Sequence, residues 1–318
     1  MWCFKAMRFV GFKVLLVVSV LGSVTSVLGR ELEIVGVSEL VGEIQVIKAR
    51  HEDTFIKIAR HYNLGYQELV LANPSVNPWL PGEGTDIVLP TRFVLPYAPQ
   101  HGIVINLPEL RLYYFPEDSP GLVVTHPISI GRMDWGTPLG VSHIQSKALK
   151  PIWYPPESIR KEYALDGRSL ARAVPPGPDN PLGDHALRLS LPGYLIHGTN
   201  KPSGVGMRVT HGCIRMFPED IEALFSRVAI GTPVYIVNQP YKIGWVEGGF
   251  YLEAHPPLNE ELSNGWTMTA LTRAYVLATE KRKAGMFSWR LAELVAERGL
   301  GTPEFVSLEA TTSLHYFE

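Results

Sequence analysis

The chain has 318 residues, of which 46% are hydrophobic and 19% are charged, so it is long enough to form about two domains with packed cores. Its formal net charge of -2 at pH 7 excludes the strongly basic overall surface that binds nucleic acid or an anionic membrane. The 26 prolines and 29 glycines interrupt the chain often, which favours short strands over long helices.

The first 29 residues have the pattern of a secretory signal peptide. Three basic residues precede an apolar run that begins at Val14, and small residues follow this run up to Gly29. The run is shorter than the roughly 20 apolar residues that a membrane-spanning helix needs, so we expect cleavage and export. An uncleaved anchor is the alternative. Cys3 would leave with the peptide, and Cys213 would then be the one cysteine of the exported chain.

Residues 43–90 predict a small unit of strand, helix, helix and strand. The β-rich run EIQVIKA comes first, and apolar residues at helical spacing follow Asp53, which we expect to be the N-cap of the first helix. The segments YQELVLANP and DIVLP predict the second helix and the second strand. With DTFIKIARHY and LVLANP, this unit resembles a LysM domain, a module that binds glycans containing N-acetylglucosamine. A small α/β module without glycan affinity is the alternative.

Residues 101–238 predict a second, mainly-β domain. The run GIVINLPELRLYYF predicts a hairpin, and further β-rich runs follow between glycines and prolines. Residues 151–187 are rich in proline, glycine and charge, so we expect a long excursion over the sheet. After it, an apolar strand ends at His197 and a glycine-bearing loop leads to Cys213. A helix is then predicted with Pro218 in its first position.

Residues 239–318 predict an appended α/β element. A hairpin is expected to turn at Gly248 and Gly249, and two helices follow it. We expect Ser288 to cap the second helix and Gly299 to end it. The predicted fold is therefore multidomain: a small βααβ module, a mainly-β domain and an α/β C-terminal appendage.

The spacing of His197 and Cys213 permits the contact between a thiol and an imidazole that nucleophilic catalysis would need. Both residues flank one loop, so the chain can bring the thiol towards the end of the strand that carries the imidazole. An imidazole is the group that takes a proton from a thiol nucleophile. Two alternatives remain at this point. Cys213 can be a buried apolar side chain, or it can bind zinc together with His185, His197 and His211.

The motif HGTN, a glycine-bearing loop and RVTHGCIRM resemble the L,D-transpeptidase catalytic domain of the YkuD or ErfK type, over residues 101–238. Thr210 stands where that family usually has serine. The order of signal peptide, LysM module and catalytic domain is similar to that of periplasmic enzymes of Gram-negative bacteria, which implies a periplasmic location.

The resemblance also implies a role for each residue of the motif. Cys213 is the nucleophile, His197 is the general base and later the acid, and the backbone carbonyl of Gly198 orients the imidazole. Arg215 organises the substrate side of the pocket, or it is a structural ion-pair residue. The other positions shape the oxyanion site: Thr210, His211 and Gly212.

The substrate that the resemblance implies is a tetrapeptide stem of peptidoglycan. Cys213 attacks the carbonyl of meso-diaminopimelate, D-alanine leaves, and an amine resolves the thioester without any metal or organic cofactor. The acceptor stays open between a second stem, the terminal lysine of a Braun-type lipoprotein, and water. Water would make the enzyme an L,D-carboxypeptidase or a cross-link hydrolase. A non-enzymatic wall-binding protein is the other class. We expect removal of residues 43–90 to leave the turnover of a soluble tetrapeptide unchanged and to weaken binding to glycan strands.

Overall fold

The structure is a computed structural model that describes residues 29–36, 38–132, 135–246, 249–258, 268–280 and 286–308. The predicted signal peptide lies outside these residues except for Gly29, and Gly248 of the predicted hairpin turn lies outside them as well. In the described part of the chain, no helix is long and apolar enough to cross a membrane.

Strands dominate the described residues, and most of them are short. The strands are β1 (Arg30–Glu33), β2 (Leu40–Gly42), β3 (Gln45–Lys48), β4 (Asp86–Leu89), β5 (Arg92–Val94), β6 (Gly102–Asn106), β7 (Arg111–Phe115), β8 (Leu122–Pro127), β9 (Ile130–Gly131), β10 (Gly140–Leu149), β11 (His185–Leu189), β12 (Leu195–His197), β13 (Arg208–Thr210), β14 (Ile214–Arg215), β15 (Pro233–Val237), β16 (Tyr241–Val246), β17 (Gly249–Ala254) and β18 (Glu304–Phe305). The helices are α1 (Phe55–His61), α2 (Tyr66–Ala72), α3 (Glu157–Leu165), α4 (Pro218–Arg227), α5 (Met268–Thr279) and α6 (Trp289–Arg298).

The mainly-β character predicted for residues 101–238 is confirmed by one large sheet. Nine strands form it in the order β1-β8-β7-β6-β15-β10-β11-β12-β14. The predicted hairpin is β6 and β7, which pair from Gly102 with Phe115 to Asn106 with Arg111. Apolar side chains of one face of this sheet pack with α4 into a fully buried core that includes Leu187, Ile196, Ile214 and Leu224.

Residues 43–90 have the predicted order of strand, helix, helix and strand. β3 and β4 pair along their whole length, and α1 and α2 lie between them in the chain. The predicted N-cap of α1 is wrong. The hydroxyl of Thr54 accepts from the Lys57 backbone N–H at 3.3 Å, whereas the Asp53 carboxylate accepts from the Arg50 backbone N–H at 2.8 Å. Asp53 therefore stabilises the turn that precedes the helix.

This βααβ unit is joined to the large sheet by buried charges. The guanidinium of Arg111, on β7, donates to both carboxylate oxygens of Glu68, on α2, at 2.6 and 2.8 Å. The two side chains are 0% and 5% exposed. The amide of Asn63 donates to both carboxylate oxygens of Asp220, on α4, at 2.8 Å each. Without residues 43–90, the buried guanidinium of Arg111 would lose its ion-pair partner Glu68, so the structure argues against the expected independence of this unit.

The same unit contacts the loop between His197 and Cys213. The backbone N–H of Gln67 donates to the carbonyl of Gly206 at 3.1 Å. Gly206 has φ +82°, and a Cβ added there would lie 2.3 Å from the Cα of Gly65. Only glycine fits such an approach, so α2 packs directly against the backbone of this loop.

A helix within residues 151–187 departs from the predicted excursion. α3 buries Ile159 and has an ion pair of 2.9 Å between Glu157 and Lys161, one helical turn apart. This pair at spacing i, i+4 was a signal for helix in the sequence. The flanking prolines and glycines hide this signal, although Pro156 lies at the N-cap, where it breaks no helical hydrogen bond.

The C-terminal residues form a three-stranded sheet of β16, β17 and β18 with α5 and α6 packed on it. The predicted ends of α6 are confirmed, because Ser288 accepts from the Leu291 N–H and Gly299 ends the helix at φ +55°. This unit is also fixed to the large sheet by buried charge. The ammonium of Lys242 lies 2.8 Å from the carboxylate of Glu109, on the loop between β6 and β7.

Candidate active site

The two segments of the HGTN and THGCIRM motif form neighbouring parallel strands. β12 pairs with β14, with Ile196 opposite Ile214 and His197 opposite Arg215. Both isoleucines are fully buried in the apolar core. Because side chains alternate along a strand, His197 and Arg215 lie on the other face. Cys213 immediately precedes β14, and the same alternation brings its thiol to that face.

His197 is held in one orientation and in its neutral form. Its side chain is buried, and Nδ1 lies 2.7 Å from the carbonyl oxygen of Gly198. Burial lowers the pKa of His197 to about 4, with a further contribution from the positive charge of Arg215. With Nδ1–H donating to Gly198, the Nε2 atom of the neutral ring is left to accept a proton. Gly198 thus lies where the resemblance requires an acceptor.

Cys213 carries a protonated thiol in this environment. The side chain is partly exposed, and Sγ lies 3.7 Å from the carbonyl oxygen of Gly193. Burial raises the pKa of the Cys213 thiol. The Leu195 backbone hydrogen bond and the charges of Arg215 and Arg188 lower this pKa, but they are smaller effects. The resting site at neutral pH therefore holds a neutral thiol and a neutral imidazole.

The backbone before Cys213 is fixed by two threonines. The Thr210 hydroxyl donates to the Cys213 carbonyl at 2.6 Å, and the Thr137 hydroxyl donates to the Gly212 carbonyl at 2.8 Å. Gly212 has φ +98°, and a Cβ there would lie 2.9 Å from the ring of Tyr194. The hydroxyl of Thr210 thus ties the turn together, and serine at that position would offer the same donor. Thr137 has no signal in the sequence.

His211 is engaged by an acidic residue that the sequence analysis missed. Its Nε2 lies 2.9 Å from the carboxylate of Glu162, on α3, and its ring is in edge contact with Trp135 at 5.3 Å. Glu162 also accepts from the guanidinium of Arg132 at 2.6 Å. These hydrogen bonds, first that from Arg132 and then that with His211, lower the pKa of Glu162. The imidazole of His211 is thus bound to α3.

Arg215 is a partly buried cation that acts electrostatically on both His197 and Cys213. Its backbone N–H and C=O bond to Ser129 at 2.9 and 2.8 Å, which fixes its position. Its Nε atom is buried without a hydrogen-bond partner. Among the residues that the structure describes, Arg215 has no ion-pair partner, so the alternative of a structural ion pair is not supported.

The residues proposed as zinc ligands do not converge. The His185 ring packs against Phe225 of α4, on the core side of the sheet, and not on the face that carries Cys213. Within the described residues, one group of three side chains has the spacing of metal ligands: Glu109, Glu253 and His255. The ammonium of Lys242 lies 2.8 and 3.0 Å from these two carboxylates, so a cation already occupies the position between them.

The chain is similar to known enzymes over most of its length. Residues 100–236 match the YkuD family, described as an L,D-transpeptidase catalytic domain. The chain is 42% identical to the "Probable L,D-transpeptidase YcfS" of Escherichia coli K12 over 241 residues, which are 74% of this chain and 75% of that protein. It is 39% identical to YbiS of Escherichia coli K12 and to ErfK/SrfK of Salmonella typhimurium, both named as probable L,D-transpeptidases. Each of these alignments covers 70% of this chain, with 73% of YbiS and 72% of ErfK/SrfK.

Proposed function

Because the chain belongs to the L,D-transpeptidase family, we propose that Cys213 is its nucleophile and His197 its general base. The observation that carries this assignment is the parallel pairing of β12 and β14. It brings the thiol and the imidazole to one face of the sheet, with the second ring nitrogen of His197 held by Gly198. The protein is an L,D-transpeptidase, and this geometry supports the proposal that these two side chains carry its chemistry.

The proposed donor is a tetrapeptide stem of peptidoglycan. The sulfur of Cys213 attacks the carbonyl carbon of meso-diaminopimelate while the thiol proton passes to Nε2 of His197. His197 then gives this proton to the nitrogen of D-alanine, the carbon–nitrogen bond breaks, and a thioester remains. An amine attacks the thioester and loses its proton to His197. The carbon–sulfur bond breaks, and His197 gives the proton to the sulfur of Cys213.

The turn at Gly212 supports the proposed oxyanion site. The positive φ of Gly212 and the hydrogen bond from Thr137 fix the peptide units on either side of it. Preorganised backbone N–H groups stabilise the negative oxygen of a tetrahedral intermediate without reorganising during the reaction. The proposed contribution of His211 is to hold this turn through its contact with Glu162.

The acceptor, the glycan affinity and the location are further parts of the proposal. We infer an amine acceptor, either on a second stem or on the terminal lysine of a Braun-type lipoprotein. The residues 43–90 are proposed to bind glycan as a LysM module, supported by Trp79 and Leu80, which are 62% and 67% exposed on the loop between α2 and β4. Export to the periplasm rests on the signal-peptide pattern of residues 1–29.

The experiment that tests the reaction is incubation with a purified tetrapeptide stem, followed by intact-protein and product mass spectrometry. We expect an acyl adduct on the parent protein and none on Cys213→Ala. His197→Ala should acylate much more slowly at pH 7 and recover in part at higher pH, because burial raises the pKa of the Cys213 thiol and more of it ionises only as the pH rises. With a peptide ending in lysine added as a second acceptor, release of D-alanine without a cross-linked or lysine-linked product would assign water as the acceptor. An adduct on Cys213→Ala would show that another residue is the nucleophile.

A further inference from the structure

The face of the sheet that carries Cys213 continues onto β11. Arg188 pairs with Leu195 across β11 and β12, and the Leu195 backbone hydrogen-bonds the Cys213 sulfur. Leu187 and Leu189, the sequence neighbours of Arg188, are buried in the core. Arg188 therefore points to the opposite face, which is the face of the thiol. Two strand spacings separate the backbones of Arg188 and Cys213, roughly 10 Å.

A pocket open to solvent lies at this end of the face. It has a cavity volume of about 50 Å³, and residues of β10, β11 and β12 form its floor. The loop that follows β10 covers one side with Ile152, and Leu182 lies at the other end of the same excursion. Ser146 and Leu195 line the floor, and Arg188 is the one charged residue of the lining. Polar atoms contribute slightly more of the lining surface than apolar atoms.

The guanidinium of Arg188 has no partner in the described part of the chain. Neither a hydrogen bond nor an ion pair joins it to any described residue, and its side chain is exposed. Arg132, which also lies near the motif, is instead bound to Glu162 at 2.6 Å. Guanidinium groups bind carboxylates through paired N–H donors, so an unpaired arginine in a pocket beside a nucleophile fits an anionic group of the substrate.

We propose that Arg188 is a specificity-determining residue that binds a carboxylate of the donor stem in this pocket. The proposal rests on the proposed function of Cys213 and names a recognition element for its donor. Two carboxylates lie near the attacked carbonyl in a tetrapeptide stem: the C-terminal carboxylate of the leaving D-alanine and the side-chain carboxylate of meso-diaminopimelate. Arg188 reaches the stem from the side of β11, opposite to Arg215, which flanks Cys213 from β14.

The test measures acylation of the full chain by three donors: the tetrapeptide, its side-chain amide and its C-terminal amide. For Arg188→Gln we expect KM for the unmodified donor to rise by about tenfold to a hundredfold, the range of one charge-assisted carboxylate pair, with kcat nearly unchanged. Arg188→Lys should fall between the two proteins. The penalty of Arg188→Gln should disappear with the one amidated donor that lacks the bound carboxylate, which identifies the carboxylate.

The matched control is Arg290→Gln, because Arg290 is an exposed arginine of α6 in the C-terminal unit. It should leave KM for all three donors unchanged. An unaltered KM for Arg188→Gln, or an equal penalty with both amidated donors, would overturn the role of Arg188 while acylation of the parent still supports Cys213. If the parent protein forms no acyl adduct with any donor, the proposed function fails and this inference fails with it.

Discussion

The buried pair between Glu68 and Arg111 makes residues 43–90 and the large sheet one thermodynamic unit. We expect Glu68→Gln to lower the free energy of unfolding by about 3–5 kcal/mol, the cost of leaving a buried charge without its partner. The value applies because the Arg111 side chain is 0% exposed and Glu68 is 5% exposed. Glutamine keeps the volume of the side chain, so the loss reports the charge and not a cavity.

The matched comparison is Asp86→Asn, which breaks an ion pair of similar geometry at the surface of the same unit. Lys48 and Asp86 lie 2.7 Å apart, and their side chains are 67% and 63% exposed. This change should cost about 1 kcal/mol or less, since solvent screens an exposed pair. Urea unfolding followed by tryptophan fluorescence measures both variants. A loss for Glu68→Gln within about 1 kcal/mol of that for Asp86→Asn would refute the reasoning.

Two further predictions concern the site. Burial lowers the pKa of His197 to about 4, and the neutral imidazole is the proposed base, so kcat/KM for acylation should stay level from pH 7 down to about pH 5. It should fall only as the pH approaches 4. A pH profile of kcat/KM with its midpoint near 6.5, the pKa of a solvated imidazole, would contradict the burial of this ring. Deletion of residues 43–90 should abolish turnover of a soluble tetrapeptide or prevent folding, because it removes the ion-pair partner of Arg111 and the contacts between α2 and Gly206. Full turnover by the truncated chain would show that these residues form a separable module after all.

The features that local sequence patterns predict well are those that depend on residues close in the chain. The hairpin of β6 and β7, the first-turn proline of α4 and the caps of α6 each involve positions within a few residues of one another. The motif around His197 and Cys213 belongs to the same class, since one loop joins its halves. Turns, helix caps and strand alternation depend on residues that lie this close in the chain, so the local sequence is enough to predict these features.

The features that the sequence did not predict are contacts of acidic side chains with partners far away in the chain. Glu68 and Arg111 are 43 residues apart, and Glu162 and His211 are 49 apart. Charged residues are mostly exposed in folded proteins, so composition assigns them to the surface until a partner is known. The joint between residues 43–90 and the sheet was therefore not visible in the sequence, although the elements on both sides of it were.

The protonation state of the site is likewise a feature that the sequence alone does not predict. The motif identifies His197 and Cys213, but it does not decide between a neutral pair and a thiolate with an imidazolium. Arg215 lowers the pKa of both groups. Its positive charge therefore stabilises the thiolate and destabilises the imidazolium. For the transfer of a proton from the thiol to the imidazole, these two effects have opposite signs. Burial acts on both groups in favour of the neutral form and decides the outcome. In the proposed reaction, the attack therefore starts from a neutral thiol and a neutral imidazole.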